Sequence, residues 1–340
     1  MAHTPVTLRD VATRAGVHPA TASRALNPET RLLVKDDTAQ RVLEAAEQLG
    51  YHPNPVARSL RTRRSHTVGV LIPDLTNPLF PPIMRGLEDR LATAGYVALM
   101  GNTDGDSERE QLVFQQMRAR HVDGVVLATA RLSDPVLAGE AQAGLPIVLM
   151  NRMAADHSLP SVSVDNERGA RMAVDHLAGL GHRRVAHIAG PLDTSTGRDR
   201  YRGYATGVQA RRLADDPDLI VQARAYSIEE GRRCLAELLA RNCGATAVAA
   251  GNDMLAVGCL AALEDAGVRC PADMSLVGFN DMPFVDWLRP PLTTIHFPHY
   301  QVGTEAAQLL IEQIAGQGGP VKVLFLAPEL IVRGSTASCA

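Results

Sequence analysis

The sequence predicts two architectures in one chain: an all-α N-terminal headpiece, then an α/β core of two similar halves. Residues 6–50 contain three stretches with helical apolar spacing. From Thr67 onward, short β-rich runs alternate with amphipathic helical stretches, a pattern typical of parallel α/β folds. Charge changes at the same place: residues 1–64 carry ten Lys or Arg against six Asp or Glu (+4), and the remainder carries 24 against 31 (−7). A basic head suits contact with phosphate, although a solvated basic face would give the same counts.

Length and composition restrict the class of protein. At 340 residues the chain suggests two or three domains. No apolar run of signal-peptide type follows the N-terminus and no run of 18 apolar residues occurs, so we expect a soluble, cytoplasmic protein without membrane contact. The five cysteines form no C-x-x-C pair and no metal-ligand spacing. They indicate unpaired thiols in a reducing compartment, and we expect no metal and no cofactor.

The first two predicted helices have the format of a helix-turn-helix. Thr7 and Asp10 form a capping pair, and the first helix ends at Gly16. Pro19 suits the first position of a second helix that runs to about Leu26. The apolar face of the first helix has i, i+3, i+4, i+7 spacing and comprises Leu8, Val11, Ala12 and Ala15. Two short helices around a glycine also occur in small proteins that do not bind DNA, so the flanking sequence must decide.

The outward face of the second helix has side chains suited to DNA. Methyl groups can contact thymine, hydroxyls can bind phosphate, and an arginine can form a bidentate contact with guanine. These residues are Pro19, Ala20, Thr21, Ser23 and Arg24.

A third helix and a basic segment follow. The third helix is predicted from about Asp37 to Leu49 and stops at Gly50. Beyond it, Asn54 can cap a short helix that runs to about Leu60 and is marginal in water by itself. Arginines 58, 61, 63 and 64 suggest that DNA orders this segment, although a charged interdomain linker would have the same composition.

The predicted core has seven strands and seven helices. The strands are 68–72, 96–100, 124–128, 147–150, 185–188, 246–250 and 275–279, and the helices lie near 80–94, 106–120, 167–180, 199–213, 229–241, 253–266 and 300–315. The run 68–75 is loosely repeated at 185–192, which indicates two similar halves. Loops at strand C-termini converge between such halves, so the cleft there is the expected ligand site.

Several motifs in order resemble the LacI/GalR family of transcriptional regulators over nearly the whole chain. They are VTLRDVA at 6–12, TASR at 21–24, LGYHPNPVA at 49–57, VGVLIPDLTNP at 68–78, GHRR at 181–184 and LTTI at 292–295. The resemblance implies a Rossmann-like core similar to periplasmic binding proteins of type I. It implies a homodimer, whose headpieces bind a near-palindromic DNA operator, and a small-molecule effector that changes DNA affinity.

The resemblance also implies roles for DNA-binding residues. It places Pro19, Ala20 and Arg24 in the major groove, and Thr7, Thr21 and Ser23 on phosphate. In the hinge it implies contacts by Asn54, Ala57, Arg58, Leu60 and Arg61, with Leu60 wedged between base pairs in the minor groove. The chain departs from the family at His18 and Pro19, which leaves fewer base hydrogen bonds. It also departs at Ala22, where a usual valine is replaced at a cost of about 1 kcal/mol.

Matching motifs suggest a cleft suited to a sugar or small polar ring, formed by Leu79, Phe80, Asn151, Arg200, Tyr226, Asn252, Asn280 and Phe297. Arg200 is expected in the loop before helix 199–213. The aromatic residues could instead belong to the apolar interior, and an Asn after a strand is often a turn former. At Asn151 and Asn280 many sugar-responding members carry aspartate. We therefore expect an effector that has an acidic group, or one that lacks the hydroxyl pair an aspartate would accept.

The predicted domains are a headpiece at 1–52, a hinge helix and linker at 53–66, an effector-binding and dimerisation core at 67–333 and a flexible tail at 334–340. The tail has no heptads, so we expect a dimer. The function implied is a repressor controlled by a carbohydrate or an acidic derivative. An α/β enzyme and a free ligand-binding protein are the alternatives; against an enzyme, the sequence lacks G-x-G-x-x-G, G-x-x-x-x-G-K-[ST], G-x-S-x-G and H-E-x-x-H.

Overall fold

The computed structural model describes residues 6–27, 30–51, 64–133, 137, 139, 144–317 and 319–339. The chain divides after Ser65 into two compact units, the N-terminal headpiece and a two-lobed core. No helix among these residues is long and apolar enough to cross a membrane.

The headpiece contains the three predicted helices. They are α1 (Leu8–Ala15), α2 (Pro19–Leu26) and α3 (Asp36–Leu49), and a short 3-10 turn, Arg31–Leu33, lies in the predicted polar loop. Helix α1 begins with the predicted capping box, in which Thr7 N donates to Asp10 Oδ2 at 2.8 Å and Asp10 N donates to Thr7 Oγ1 at 3.4 Å. It ends at Gly16, whose φ of +63° is a left-handed conformation that glycine adopts without strain.

Small side chains form the interior of the headpiece. Its buried apolar residues are Val11, Ala12, Ala15, Ala22, Ala25, Ala39, Val42, Ala45 and Ala46. Because alanine buries little apolar surface, these helices approach closely but gain modest hydrophobic stabilisation from each residue.

The two-lobed core consists of two six-stranded sheets. The sheet of the N-lobe has the order β11-β5-β4-β3-β1-β2 and is parallel throughout. Its strands are β1 (Thr67–Ile72), β2 (Val97–Asn102), β3 (Gly124–Leu127), β4 (Ile147–Met150), β5 (Ser161–Val164) and β11 (Val323–Leu326).

The sheet of the C-lobe has the order β12-β10-β9-β8-β6-β7, and only β12 pairs antiparallel within it. Its strands are β6 (Val185–Ala189), β7 (Ile220–Gln222), β8 (Ala247–Ala250), β9 (Ser275–Asn280), β10 (Thr293–His296) and β12 (Glu329–Ile331). All seven predicted strands are present to within two residues at each end. The sequence missed β5, β7, β10, β11 and β12, which have three or four residues each and include the polar run Ser-Val-Ser-Val in β5.

Helices occupy the expected places between the strands. They are α4 (Phe80–Thr93), α5 (Ser107–Ala119), α6 (Asn166–Gly179), α7 (Ser195–Arg211), α8 (Ile228–Ala240), α9 (Asp253–Asp265) and α10 (His299–Ile314). The chain passes between the lobes three times, after β5, after β10 and after β11, so α10 and β11 complete the N-lobe.

Glycines allow α4 and α10 to pack backbone against backbone. A Cβ added at Gly303 would lie 1.9 Å from the carbonyl oxygen of Ile83, and one at Gly86 would lie 2.0 Å from that of Tyr300. No side chain fits at either contact, so these glycines fix how closely the two helices approach.

The segment 334–339, predicted as a flexible tail, is instead packed on the C-lobe. Ser335 is fully buried; its hydroxyl donates to the Leu276 carbonyl at 2.6 Å and accepts from Thr293 N at 2.8 Å. Farther along, Cys339 N donates to the Leu180 carbonyl at 2.8 Å. The sequence prediction was wrong because small polar residues resemble a tail, whereas here they supply hydrogen bonds at the ends of β9 and β10.

Candidate functional site

The headpiece presents part of α2 outward. Ala20 and Arg24 are exposed and lie one turn apart, while Pro19, Thr21 and Ser23 are half-buried. The guanidinium of Arg24 makes no hydrogen bond or ion pair within the described residues, so it is available to a partner. The opposite face of α2, with Ala22 and Ala25, is buried.

The start of α2 is capped by an imidazole. Nδ1 of His18 accepts a hydrogen bond from Ala20 N at 3.2 Å, and Pro19 occupies the first helical position. The departure from a capping serine therefore leaves the cap in place. Thr7 uses its hydroxyl at the start of α1, where it donates to Asp10 Oδ2 at 2.7 Å. The hinge residues Asn54, Ala57, Arg58, Leu60 and Arg61 lie outside the described residues.

A cavity of about 560 Å³ lies between the two lobes of the core. Seven of the eight residues predicted for the cleft line it: Leu79, Phe80, Asn151, Arg200, Tyr226, Asn252 and Asn280. Phe297 is not among the lining residues. It is 1% exposed and packs edge-on against His299, with 4.5 Å between ring centroids. Phe297 therefore belongs to the apolar interior, as most aromatic residues do.

Arg200 is held in place at the base of the cavity. It lies within α7 and not in the loop before it, because α7 begins four residues earlier than predicted, at Ser195 with Thr194 as cap. Its Nε donates to Asn166 Oδ1 at 2.8 Å, Nη1 to the Gly251 carbonyl at 2.6 Å and Nη2 to Asn280 Oδ1 at 3.1 Å. The guanidinium also stacks on Phe279 at 3.7 Å. Burial lowers the pKa of Arg200 to about 10, so it remains a cation at neutral pH.

A buried carboxyl group of the C-lobe acts electrostatically on Arg200. Asp253 is fully buried at the start of α9 and accepts hydrogen bonds from Thr294 Oγ1 at 2.6 Å and Met282 N at 2.8 Å. Burial raises the pKa of Asp253 to about 7 against the lowering effect of these donors and of Arg200. Near neutral pH this group therefore neutralises Arg200 only in part.

The three asparagines differ in what remains for a ligand. Asn252 caps α9, since its Oδ1 accepts from Leu255 N at 2.9 Å, and Asn280 Oδ1 accepts from Arg200. Asn151 is 7% exposed, and its buried Oδ1 has no hydrogen-bond partner. A buried acceptor without a partner costs free energy unless a ligand or water satisfies it.

The aromatic residues bound the two sides. Phe80 is buried at the first position of α4. Tyr226 donates its hydroxyl to Thr196 Oγ1 at 3.3 Å and lies so close to Gly190 that a Cβ there would be 2.4 Å from its ring carbons. These rings can cover the apolar faces of a ring-shaped ligand.

The sequence reasoning missed most of the charged lining. The missed residues include Arg131, Arg152, Arg224, Asp74, Asp104 and Asp193, together with Thr194 and Thr196 at the start of α7. Arg152 could have been found, since it follows Asn151 directly at the carboxyl end of β4. The others lie on loops or, for Thr196, in the first turn of α7, and their convergence depends on the fold. No group of three or more His, Cys, Asp or Glu suited to a metal ion occurs in the described part of the chain.

Comparisons with known proteins agree with this arrangement. Residues 7–54 match the family of bacterial regulatory proteins of the lacI family, and residues 174–336 match a periplasmic binding protein-like domain. The chain is 34% identical over 334 residues to the HTH-type transcriptional repressor CytR of Escherichia coli K12, covering 98% of this chain and 97% of that protein. It is 36% identical over 330 residues to the ribose operon repressor of Halalkalibacterium halodurans, covering 97% of each.

Solved structures give the same result. The lac repressor dimer bound to operator and the anti-inducer ONPF superimposes with a TM-score of 0.87 at 26% identity, covering 98% of this chain and 100% of that one. A complex of the transcriptional regulator CelR with cellobiose superimposes with a TM-score of 0.75 at 30% identity, covering 97% and 99%.

Proposed function

The chain belongs to the LacI family of bacterial regulatory proteins, and on that premise we propose that it is a cytoplasmic repressor whose operator affinity is controlled by a small molecule held between the lobes. The observation that carries this proposal is the cavity, in which polar side chains from both lobes converge. A chain that also contains an exposed DNA-reading helix can couple occupancy of such a cavity to DNA binding.

The headpiece side of the proposal assigns one role to each group of residues. Arg24 forms a bidentate contact with guanine, and Pro19 and Ala20 contact base methyl groups. Thr21 and Ser23 contact phosphate and so position the helix on DNA. Thr7, at the cap of α1, contributes through its backbone. Asn54, Ala57, Arg58, Leu60 and Arg61 form the hinge contacts, including the Leu60 wedge.

The cavity side of the proposal assigns a carbohydrate or an acidic derivative as effector. Arg200, Asn252 and Asn280 supply donors and acceptors for hydroxyl groups, and Phe80 and Tyr226 cover the ring. Leu79 contributes apolar contact and Asn151 an unused acceptor. Amides at positions 151 and 280 add no negative charge beside Arg200, and Asp253 neutralises this cation only in part, which favours a ligand with an acidic group.

We propose the division into a headpiece at 1–52, a hinge at 53–66 and a core from 67 that also forms a homodimer on a near-palindromic site. An exposed aromatic pair on the C-lobe supports the dimer, since Phe284 and Trp287 lie 5.3 Å apart between ring centroids. Phe284 has a φ of +76°, unusual for a bulky residue. A second copy of the chain would bury this surface, and sedimentation at graded concentrations tests the dimer.

Removal of residues 1–64 separates this function from an enzyme or a free binding protein. Operator sequences are first selected from random DNA with the full chain, with and without candidate sugars. We expect the truncated chain to lose operator binding and to retain any ligand that the full chain binds. Operator binding that survives the truncation would refute the assignment of the headpiece.

Substitution of Arg200 tests the effector site directly. We expect Arg200→Ala to abolish the response of operator binding to ligand while operator binding itself persists, because three hydrogen bonds at the base of the cavity are lost. Fluorescence anisotropy of labelled operator measures both quantities. Arg202→Ala, an exposed arginine on the same helix, is the control and should respond normally. A normal response in Arg200→Ala would remove this residue from the site.

A further inference from the structure

The N-lobe wall of the cavity contains a guanidinium group whose donors are mostly unused. Arg152 follows β4, and its side chain makes one hydrogen bond within the described residues, from Nη1 to the Thr129 carbonyl at 3.3 Å. It forms no ion pair with a described carboxylate. An arginine has five N–H donors, so four remain for a ligand. Burial lowers the pKa of Arg152, which reflects the cost of keeping this cation away from water.

The first turn of α7 faces the same part of the cavity from the C-lobe. Met153 N, next to Arg152, donates to Ser195 Oγ at 2.9 Å, so the two elements are in contact. Thr196 lines the cavity and is buried, and its N–H makes no hydrogen bond within the described residues. Helix α7 has 17 residues, and the N-terminus of such a helix favours an anion.

The carboxylates of the cavity are already engaged elsewhere. Asp74 accepts from Thr76 N at 2.8 Å, Asp104 pairs with Arg109, and Asp193 lies 3.6 Å from Arg131 Nε. Asp193 raises the pKa of Arg152, but its side chain is 62% exposed, so solvent screens it. Glu110 also raises the pKa of Arg152, and it accepts a hydrogen bond from Thr129 Oγ1 at 2.6 Å. Arg152 and Arg200 therefore face the cavity as like charges that the neighbouring carboxylates compensate only in part.

An independent feature indicates what else the ligand carries. The unpartnered Oδ1 of Asn151 is a buried acceptor, and it precedes Arg152 directly in the chain. An O–H group of the ligand would satisfy it. The two consecutive residues thus call for a hydroxyl and an oxyanion on one molecule.

We propose that Arg152 and the first turn of α7 form an oxyanion subsite, which takes the carboxylate or phosphate of a polyhydroxylated effector while Asn151 accepts from one of its hydroxyls. This inference rests on the proposed effector cavity. Arg152 belongs to the N-lobe and Thr196 to the C-lobe, so an oxyanion between them binds both lobes at once. The charged group then stabilises the arrangement in which the lobes are in contact, and it takes part in regulation as well as recognition.

Inorganic phosphate is the probe that tests the subsite alone. Thermal unfolding of the full chain is followed against phosphate concentration, with chloride used to keep ionic strength constant. We expect phosphate to raise the unfolding midpoint, and we expect Arg152→Gln to weaken the apparent phosphate affinity by about tenfold or more. Arg152→Lys retains the positive charge but lacks the planar guanidinium, so its phosphate affinity should lie between those of the native chain and Arg152→Gln.

Arg224→Gln is the matched control, since it removes one positive charge from an exposed residue of the same cavity. We expect its phosphate affinity to stay within about threefold of the native value. Equal losses in Arg224→Gln and Arg152→Gln would indicate general electrostatics and an adventitious ion only, and would overturn the subsite. So would a native protein that does not respond to phosphate.

Calorimetry with matched sugars distinguishes the two sources of the oxyanion and separates this inference from the proposed function. Glucose is compared with gluconate and glucose 6-phosphate, and ribose with ribose 5-phosphate. Tighter binding of an acidic form than of its parent sugar, abolished in Arg152→Gln, supports the subsite and identifies carboxylate or phosphate. A neutral sugar that binds as tightly and alters operator binding would overturn the subsite and leave the repressor proposal standing. A chain that responds to phosphate but binds no operator would overturn the repressor proposal and leave the subsite standing.

Discussion

The headpiece and the two-lobed core place their functional residues in opposite ways. In the headpiece the apolar interior is mostly alanine, and the residues proposed to contact DNA are exposed or half-buried on the outward face of one short helix. In the core the interior is dominated by larger side chains, with Val and Leu the most frequent, and residues such as Arg200 and Asn280 are nearly fully buried. The headpiece can therefore vary its contact residues at little cost to its fold, whereas the core cannot.

Close helix packing in the core should produce the largest effect on stability. We expect Gly303→Ala to lower the free energy of unfolding by about 3 kcal/mol, because the added Cβ would lie 1.9 Å from the Ile83 carbonyl oxygen. Chemical denaturation measures the change. Gly139→Ala is the control, because no atom lies within 4 Å of its added Cβ. Gly267→Ala is less informative, because the positive φ of Gly267 would strain any side chain there. A loss of less than about 1 kcal/mol would show that α4 and α10 can separate without cost.

The buried titratable groups of the core should produce two opposing pH effects of about 2 kcal/mol each between pH 7 and pH 5. His187 has a pKa lowered to about 4 by burial, so the folded state binds fewer protons there and stability falls as the pH falls below 6.5. Asp253 has a pKa raised to about 7, so its folded state binds more protons and stability rises as the pH falls from 7.

Single variants separate these two effects. We expect His187→Gln to become more stable relative to the native chain on going from pH 7 to pH 5, and Asp253→Asn to become less stable. Urea denaturation at both pH values measures the differences, and other histidines cancel in the comparison. A change of stability in the same direction in both variants would contradict the assignment of the two pH effects to His187 and Asp253. Hydrogen exchange in the headpiece should not show these two opposing effects between pH 7 and pH 5. The hydrogen bonds of Asp10 to Thr7 lower its pKa, which already lies below that range.

Replacement of Arg24 tests whether an exposed residue of the headpiece acts without a structural role. We expect Arg24→Ala to weaken operator binding by about 1–3 kcal/mol and to relax the preference at one base position. Because its guanidinium makes no hydrogen bond or ion pair in the described part of the chain, we expect little change in stability. Competition binding with single-base operator variants measures both effects, with exposed Arg41 on α3 as the control position. Unchanged operator affinity would refute the reading role.

The alanine interior of the headpiece can be altered with the smallest expected effect. Ala22 is fully buried in the interior of the headpiece, at a position where the resemblance to the family implies valine. We expect Ala22→Val to stabilise the headpiece by about 1 kcal/mol through added buried methyl groups. Hydrogen exchange of the α2 amides reports this locally, and Ala20→Val on the exposed face is the control. A destabilised Ala22→Val would mean that the interior is already filled.

Much of the molecule was predictable because its signals are local. Thr7 with Asp10, Gly16 and Pro19 predicted the bounds of α1 and α2, since capping and turn formation depend on neighbouring residues. Apolar runs predicted the longer strands for the same reason. The strand Ser161–Val164 escaped because its buried serines interrupt the apolar pattern, and the strands beyond β10 escaped because they are short.

The sequence by itself determined the two architectures, the helices and their caps. Of the eight residues that it predicted for the cavity, seven are among those that line it. Only the tertiary structure decided that Phe297 is buried, that Ser335 is packed, and that Arg152 lies beside the first turn of α7. The physical reason is that burial and convergence depend on three passages of the chain between the lobes. Those passages bring together residues that are remote in sequence. A local sequence pattern therefore cannot predict which charged side chains lack partners in the folded chain.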